Sequence, residues 1–394
     1  MKEFALREQD QEMASGRFAR YRFYLRQRPT MLVLLSVLAV LFFLGVTGLS
    51  HVYHAQRASL GDRWFSRGLA DLNAKHYDAA VTEFRAALLY SRDEYSYQLN
   101  LAEALIGLDH TGEAFAYLLN LWDREPDNGL VNLELARIMA RRGQVDQAVR
   151  YYNNAVYAAW PPGEESKRRD ARLELIEILL QAKRQGDAQA ELMALAANAG
   201  ETPSLQQTIG EMFMRAGDYE RALDAYRTIL KVDDHNAAAL AGAGNAAFQL
   251  GRFSVAQQYL QSAIRVNVND TESAQRLEIT EMVLRMDPFR SQISTPDRNK
   301  NVVDAFAAAG QRLNTCPLPS RDTFGTTGSA PSLKDEWIGL KPQITDAGLR
   351  RKPDLAQSAM DLVFRIERQT SSVCGPPTGP DLALLLIAKL HEGS

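Results

Sequence analysis

Residues 217–263 read GDYERALDAYRTILKVDDHNAAALAGAGNAAFQLGRFSVAQQYLQSA, and their internal repetition decides the fold. Gly217, Tyr219, Ala222 and Tyr226 return 34 residues later as Gly251, Phe253, Ala256 and Leu260. The apolar positions within each copy fall three and four apart, the period of one face of a helix. Weaker copies lie upstream. Tyr77, Ala80, Phe84 and Ala87 form one, Ala114 and Leu118 another, and Gly143, Val145, Ala148, Tyr152 and Ala155 a third. The anchoring alanines run Ala80, Ala114 and Ala148 at intervals of 34, then Ala190 after 42, Ala222 after 32 and Ala256 after 34. Pro161-Pro162-Gly163 and the charged run Glu164 to Asp170 fill the long interval.

A helix–turn–helix unit repeating every 34 residues in this pattern resembles the tetratricopeptide repeat. The resemblance covers residues 61–287 as six repeats, with Thr271 to Met286 as a terminal capping helix. Trp64 and Gly68 match the family's first helix, and Pro126 stands where the family often closes a repeat with proline. The fourth copy departs, with Gln185 at its turn and Ala194 where a large residue is expected. The resemblance implies an all-α superhelix in which small residues (Gly68, Ala80, Gly210, Ala222, Gly244, Ala256) let paired helices approach. Tyr77, Phe84, Tyr152, Tyr219, Tyr226 and Phe253 would fill the space between pairs. No pair buries its apolar face alone, so stability comes from the stack.

Ahead of the repeats, Met31 to Leu49 (MLVLLSVLAVLFFLGVTGL) holds nineteen residues without a charge. At the helical rise this is roughly 28 Å, close to the hydrocarbon thickness of a bilayer. A cleaved signal peptide is the rival reading. The 30-residue lead, the length of the run and the absence of an A-x-A-like site after it favour a retained anchor. Arg17, Arg20, Arg22, Arg26 and Arg28 precede the run, so the positive-inside rule expects residues 1–30 in the cytoplasm and the bulk outside it, in the periplasm if the cell is bacterial. Tyr21, Phe23 and Tyr24 suit the headgroup layer.

After Pro288 the repeats stop. Residues 288–394 read as a small helical cap: a helix over Asn299 to Leu313, a Pro/Gly/Ser-rich loop over Asn314 to Pro353, a helix ending near Thr370 and a last one over Asp381 to Leu390. Cys316 and Cys374, the only cysteines, each follow a helix, and an extracytoplasmic location favours a disulfide between them.

Composition narrows the function. The formal charge is −3, and residues 1–30 carry seven Lys/Arg against four Asp/Glu, so the remainder is net acidic and a poor binder of nucleic acid. The six histidines form no metal-binding spacing; His51 and His54, three apart beside the apolar run, suit an interface better than a metal. Gly242-Ala243-Gly244-Asn245-Ala246-Ala247 resembles a dinucleotide fingerprint but follows a helix, not a strand, so it reads as packing. Gly325 to Gly328 lacks the Lys-Ser/Thr of a phosphate loop, and Glu103 and Glu134 belong to different repeats and nominate no acid–base pair. No catalytic residue, metal or cofactor is expected.

The family's ligands are peptides or partner segments laid along the groove of first helices. The register places Phe65, Leu69, Leu99, Glu103, Leu133, Arg137, Gln207, Glu211, Met214, Asn245 and Phe248 there. At the positions of the family's dicarboxylate clamp stand Phe65, Leu69, Asn100, Leu130 and Glu134, of which only Asn100 fits, so an apolar or amphipathic partner helix is expected instead. The sequence thus points to a non-catalytic, membrane-anchored interaction scaffold. A membrane-tethered holdase chaperone and an accessory protein with an activity in its tail are the alternatives.

Overall fold

The computed structural model describes residues 2–200, 202–316 and 332–391, with side chains for residues 31–53, 56, 57 and from 59 onward. Among these residues the fold is entirely helical, with no strand and eighteen helices, and it divides after Arg168 into two compact units. The side chains of the flanking arginines and aromatics at 17–28, the side chain of His54, and Gly325 to Gly328 lie outside the described residues.

In the first unit, α1 runs unbroken from Lys2 to Asn73 and contains an apolar stretch, Met31–Tyr53, long enough to cross a membrane. This stretch runs past the expected Leu49, because Ser50, His51, Val52 and Tyr53 add no Asp, Glu, Lys or Arg. From Gly61 the same helix becomes the first member of a pair with α2 (Tyr77–Tyr90). Two further antiparallel pairs follow: α3 (Tyr95–Gly107) with α4 (Thr111–Arg124), and α5 (Gly129–Arg141) with α6 (Val145–Tyr157).

The second unit takes in most of α7 (Glu165–Gln181), paired with α8 (Gln185–Ala196). The pairs α9 (Pro203–Arg215) with α10 (Tyr219–Val232) and α11 (Ala237–Gln249) with α12 (Phe253–Val266) come next. Helix α13 (Thr271–Met286) closes the series by packing on α12.

One turn recurs in all six pairs. A residue with positive φ (Lys75, Asp109, Gly143, Lys183, Gly217 or Gly251) ends each first helix. The next amide then reaches back to a carbonyl five residues earlier: His76 to Asp71, His110 to Leu105, Gln144 to Met139, Arg184 to Leu179, Asp218 to Phe213 and Arg252 to Ala247. These are left-handed helix stops that satisfy carbonyls otherwise left open. They correct the register of the fourth pair. From Lys183, the alanine equivalent to Ala222 is Ala188, which is fully buried, whereas Ala190 is exposed. The large residue four positions on is Leu192, also fully buried, not Ala194.

Thus Ala80, Ala114, Ala148, Ala188, Ala222 and Ala256 are all inaccessible, and Phe84, Leu118, Tyr152, Leu192, Tyr226 and Leu260 fill the space one turn on. The approach is close. A Cβ at Gly68 would lie 2.6 Å from the Phe84 ring, and one at Gly244 2.7 Å from Leu260.

The C-terminal region is more ordered than its composition implies. Helices α14 (Thr295–Thr315), α17 (Asp354–Cys374) and α18 (Gly379–Leu390) extend the expected ones, and two short helices, α15 (Leu333–Leu340) and α16 (Asp346–Arg351), replace part of the expected loop. A capping box starts α15: Ser332 accepts from the Asp335 amide and Asp335 accepts from the Ser332 amide. Trp337 then docks on α14. Its indole donates to the Phe306 carbonyl at 2.8 Å, its ring stacks on Phe306 at 5.6 Å, and Gly310 leaves the space it occupies. Cys316 and Cys374 are bonded, with Cα atoms 6.1 Å apart, tying the ends of α14 and α17 together. Helix α18 packs back on α13, where His391 Nε2 lies 3.2 Å from Asp287 Oδ1.

Candidate functional site

The residues expected along the first helices divide by exposure. In the first unit, Leu69, Leu99 and Arg137 are half-buried and Glu103 is exposed; in the second, Gln207, Met214 and Asn245 are half-buried and Glu211 is exposed. Phe65 is committed to packing, stacked on Tyr97 at 4.7 Å and 5.7 Å from Phe84, so it bridges the first two pairs. Two expectations are corrected. Leu133 is 1% exposed and Phe248 is 9% exposed, so neither offers a contact surface. Phe248 meets Phe253 edge-on at 5.4 Å, and the Arg276 guanidinium from α13 covers it at 5.2 Å.

Polar groups on these faces are held locally. Arg137 donates to Glu134 at 2.6 Å and Gln207 donates to Glu211 at 2.7 Å. Asn100 donates to the Ser96 carbonyl one turn back, so the one residue matching a carboxylate clamp is engaged in its own helix. Asn245 Oδ1 is buried without a hydrogen-bond donor. An incoming N–H would satisfy it, because an unpaired buried acceptor is costly.

A second recess lies elsewhere in the first unit, between α2 and α4, with a volume of about 1180 Å³. Leu88, Leu89, Ala116 and Tyr117 supply its apolar wall and Asn120 a polar one. Arg85 bridges its two sides with hydrogen bonds of 2.8 and 2.9 Å to the Glu113 carboxylate. Arg57 closes one end by donating to the Leu89 carbonyl at 2.9 Å. A space of this size exceeds the usual range of small-molecule pockets. The repeat register directs attention to first helices and so passes over this recess. The available signal was Leu89, an apolar residue on the outward face of α2 that stays 77% exposed.

Among the described residues, no three His, Cys, Asp or Glu side chains are grouped to hold a metal ion. The most displaced carboxyl among the described residues lies in the C-terminal helices. Glu367 on α17 is fully buried, and neither of its oxygens has a hydrogen-bond partner. Burial, then the Asp381 carboxylate, push its pKa up to about 8 against the opposing pull of Arg312. Burial also raises Asp381, whose carboxylate lies 3.8 Å from Arg312 Nε.

Comparison with known proteins agrees with the helix-pair geometry. A tetratricopeptide-repeat family model matches residues 213–278, which fall on α9 to α13. The fold is similar to that of YrrB, described as a TPR protein with an unusual peptide-binding site, at 15% identity and a TM-score of 0.40 over 48% of this chain and 95% of that one. It is also similar to pilF of Pseudomonas aeruginosa (16% identity, TM-score 0.41, 56% of this chain and 97% of that one). A third similar structure is PilW, described as a widely conserved type IV pilus biogenesis factor (18% identity, TM-score 0.41, 55% and 97%). No curated protein matches the chain by sequence. Residues 213–278 therefore match a tetratricopeptide repeat, and among the described residues one helix is long and apolar enough to cross a membrane.

Proposed function

We propose that this chain is a non-catalytic interaction scaffold, anchored in a membrane by Met31–Tyr53, whose helix pairs recruit a protein partner on the extracytoplasmic side. The observation that carries the reading is the continuity of α1. Its apolar stretch has no buried residue, so nothing among the described residues covers it. The same helix then enters the first pair through Gly61 and Gly68, both buried. A bilayer is the environment that accepts such a stretch, since the cost of leaving it in water scales with its apolar area.

The partner is a peptide or amphipathic helix lying on first-helix faces. In the first unit Leu69 and Leu99 are the apolar contacts and Glu103 and Arg137 the polar ones; in the second unit Met214 is the apolar contact and Gln207, Glu211 and Asn245 the polar ones. Neutral leucines among charged and amide groups suit a helix with one apolar stripe. Neither nucleic acid nor a cofactor has a role here.

Two measurements test the reading. A reporter active only outside the cytoplasm, fused after Ser394, gives signal, and the protein resists alkaline extraction from membranes. Solubility after extraction, or a silent reporter on an expressed fusion, would overturn the anchoring. For recruitment, Leu99→Asp combined with Met214→Asp leaves the fold intact and abolishes partner capture. Full capture by the folded variant would move recognition to the α2–α4 recess or the C-terminal region.

A further inference from the structure

The first unit has two distinct edges. One carries the tight turns at Lys75, Asp109 and Gly143 within the pairs. The other carries the links between pairs and lies beside the start of the stack in α1. There Arg57 donates to the Leu89 carbonyl at the end of α2, and Tyr97 Oη donates to Asp62 Oδ1 at 2.7 Å. Along the same edge Arg124 donates to the Asp93 carbonyl at 3.2 Å, and the link at Asn128 meets that at Ala159.

Outside the apolar stretch, the large apolar side chains that this unit leaves exposed among its described residues are Leu60 (39%), Leu89 (77%) and Tyr157 (68%). All three stand on the second edge. Leu60 lies on α1 just past the stretch, Leu89 is the penultimate residue of α2 and Tyr157 is the last of α6. Arg57 follows Tyr53 by four residues, so the level of Leu89 is about 6 Å beyond the end of the apolar stretch at the helical rise. That distance is the depth of a headgroup layer, roughly 5–7 Å on each side of the hydrocarbon.

We propose that this edge rests on the bilayer, with Leu89 and Tyr157 entering the headgroup layer of the membrane that Met31–Tyr53 crosses. The inference depends on that anchoring reading. Its occupant is a lipid surface, argued from the continuity of α1 and from the confinement of the first unit's exposed apolar side chains, among its described residues, to the membrane-proximal edge. Charge sets which lipids it takes. Arg57, Arg92 and Arg124 share the edge with Asp93, Glu94, Glu125 and Asp127, so basic residues are not in excess. Attraction to anionic lipid is therefore not the driving force, and the apolar side chains serve on zwitterionic headgroups as well. An aromatic ring such as Tyr157 favours this layer because one end is apolar and the other polar. The contact would fix the tilt of the first unit and hold its recesses at a set height.

The test uses the full chain in phosphatidylcholine vesicles, with a genetically encoded fluorescent amino acid at position 42, 89, 109 or 157 in turn. Vesicles carry nitroxide either on the headgroup or deep in the acyl chain. The expected result is loss of emission to headgroup nitroxide at 89 and 157, none at 109, and loss to the deep nitroxide at 42. Quenching at 42 with 89 and 157 as bright as 109 overturns the edge contact while leaving the anchor. No quenching at 42 overturns both. Quenching at 89 and 157 that appears only after phosphatidylglycerol is added overturns apolar insertion in favour of charge attraction.

Discussion

Replacing Glu367 by glutamine should stabilise the C-terminal helices in mildly alkaline solution. The wild-type carboxyl is fully buried with no hydrogen bond to either oxygen, and its pKa stands at about 8 against 4.5 for a free glutamate. Below 4.5 folded and unfolded chains both carry the proton. Between 4.5 and about 8 the folded chain keeps a proton that the unfolded chain releases, so stability falls as pH rises, at about 1.4 kcal/mol per pH unit. Above about 8 the full cost of a buried charge is present and the slope ends. From pH 6 to pH 8 the loss is thus on the order of 2 kcal/mol, a drop of roughly thirtyfold in the equilibrium constant against local opening. Burial of Asp381 acts in the same direction, and Arg312 opposes both. Glu367→Gln removes the Glu367 contribution while keeping the shape. Amide hydrogen exchange across α17 and α18, corrected for intrinsic rates, reads the opening equilibrium of this region alone. The reasoning is refuted if wild-type protection does not change between pH 6 and pH 8, or if Glu367→Gln follows the same slope.

Three further outcomes are expected. Ala188→Leu, at a site with no free volume, costs about 1–3 kcal/mol in thermal or urea unfolding, whereas Ala190→Leu on the exposed face is nearly neutral; equal effects would contradict the register set by Lys183. Gly310→Ala puts a Cβ 2.1 Å from the Trp337 ring, so α15 should leave Phe306, with a visible change in near-ultraviolet circular dichroism and a loss of roughly 1–3 kcal/mol. Protein unfolded without reductant should show no thiol at Cys316 or Cys374 to an alkylating reagent, and reduction should cost the C-terminal region up to about 4 kcal/mol for a loop of 58 residues; labelling of both would mean the bond does not form in the cell.

The helix-pair architecture was legible because its signal is local and periodic. Ala80, Ala114 and Ala148, and again Ala222 and Ala256, mark one buried position 34 residues apart, and the large residue one turn on confirms each. The fourth pair misled for a physical reason. Its turn uses Lys183, and the first two use Lys75 and Asp109, where the fifth and sixth have glycine. A left-handed residue without glycine gives no compositional mark, so the nearby Ala190 was preferred to Ala188. The order in part of the C-terminal loop was also encoded, in the Ser332-to-Asp335 capping box, but the surrounding Gly and Pro outweighed it. The recesses were the least legible. Whether Leu133 or Phe248 faces a groove depends on what the next element places over it, as Arg276 of α13 does for Phe248, and that information is non-local. The exposed Leu89 and the α2–α4 recess were missed for the same reason.

Site-specific photo-crosslinking in living cells tests the central claim most directly. A photoreactive amino acid at Leu99, Glu103 or Met214 should give one or two discrete adducts, recovered with the membrane fraction, that are absent when it replaces the exposed Ala190. The absence of any adduct from first-helix positions, or a broad ladder of many proteins that also appears from Ala190, would contradict recruitment of a defined partner by this stack.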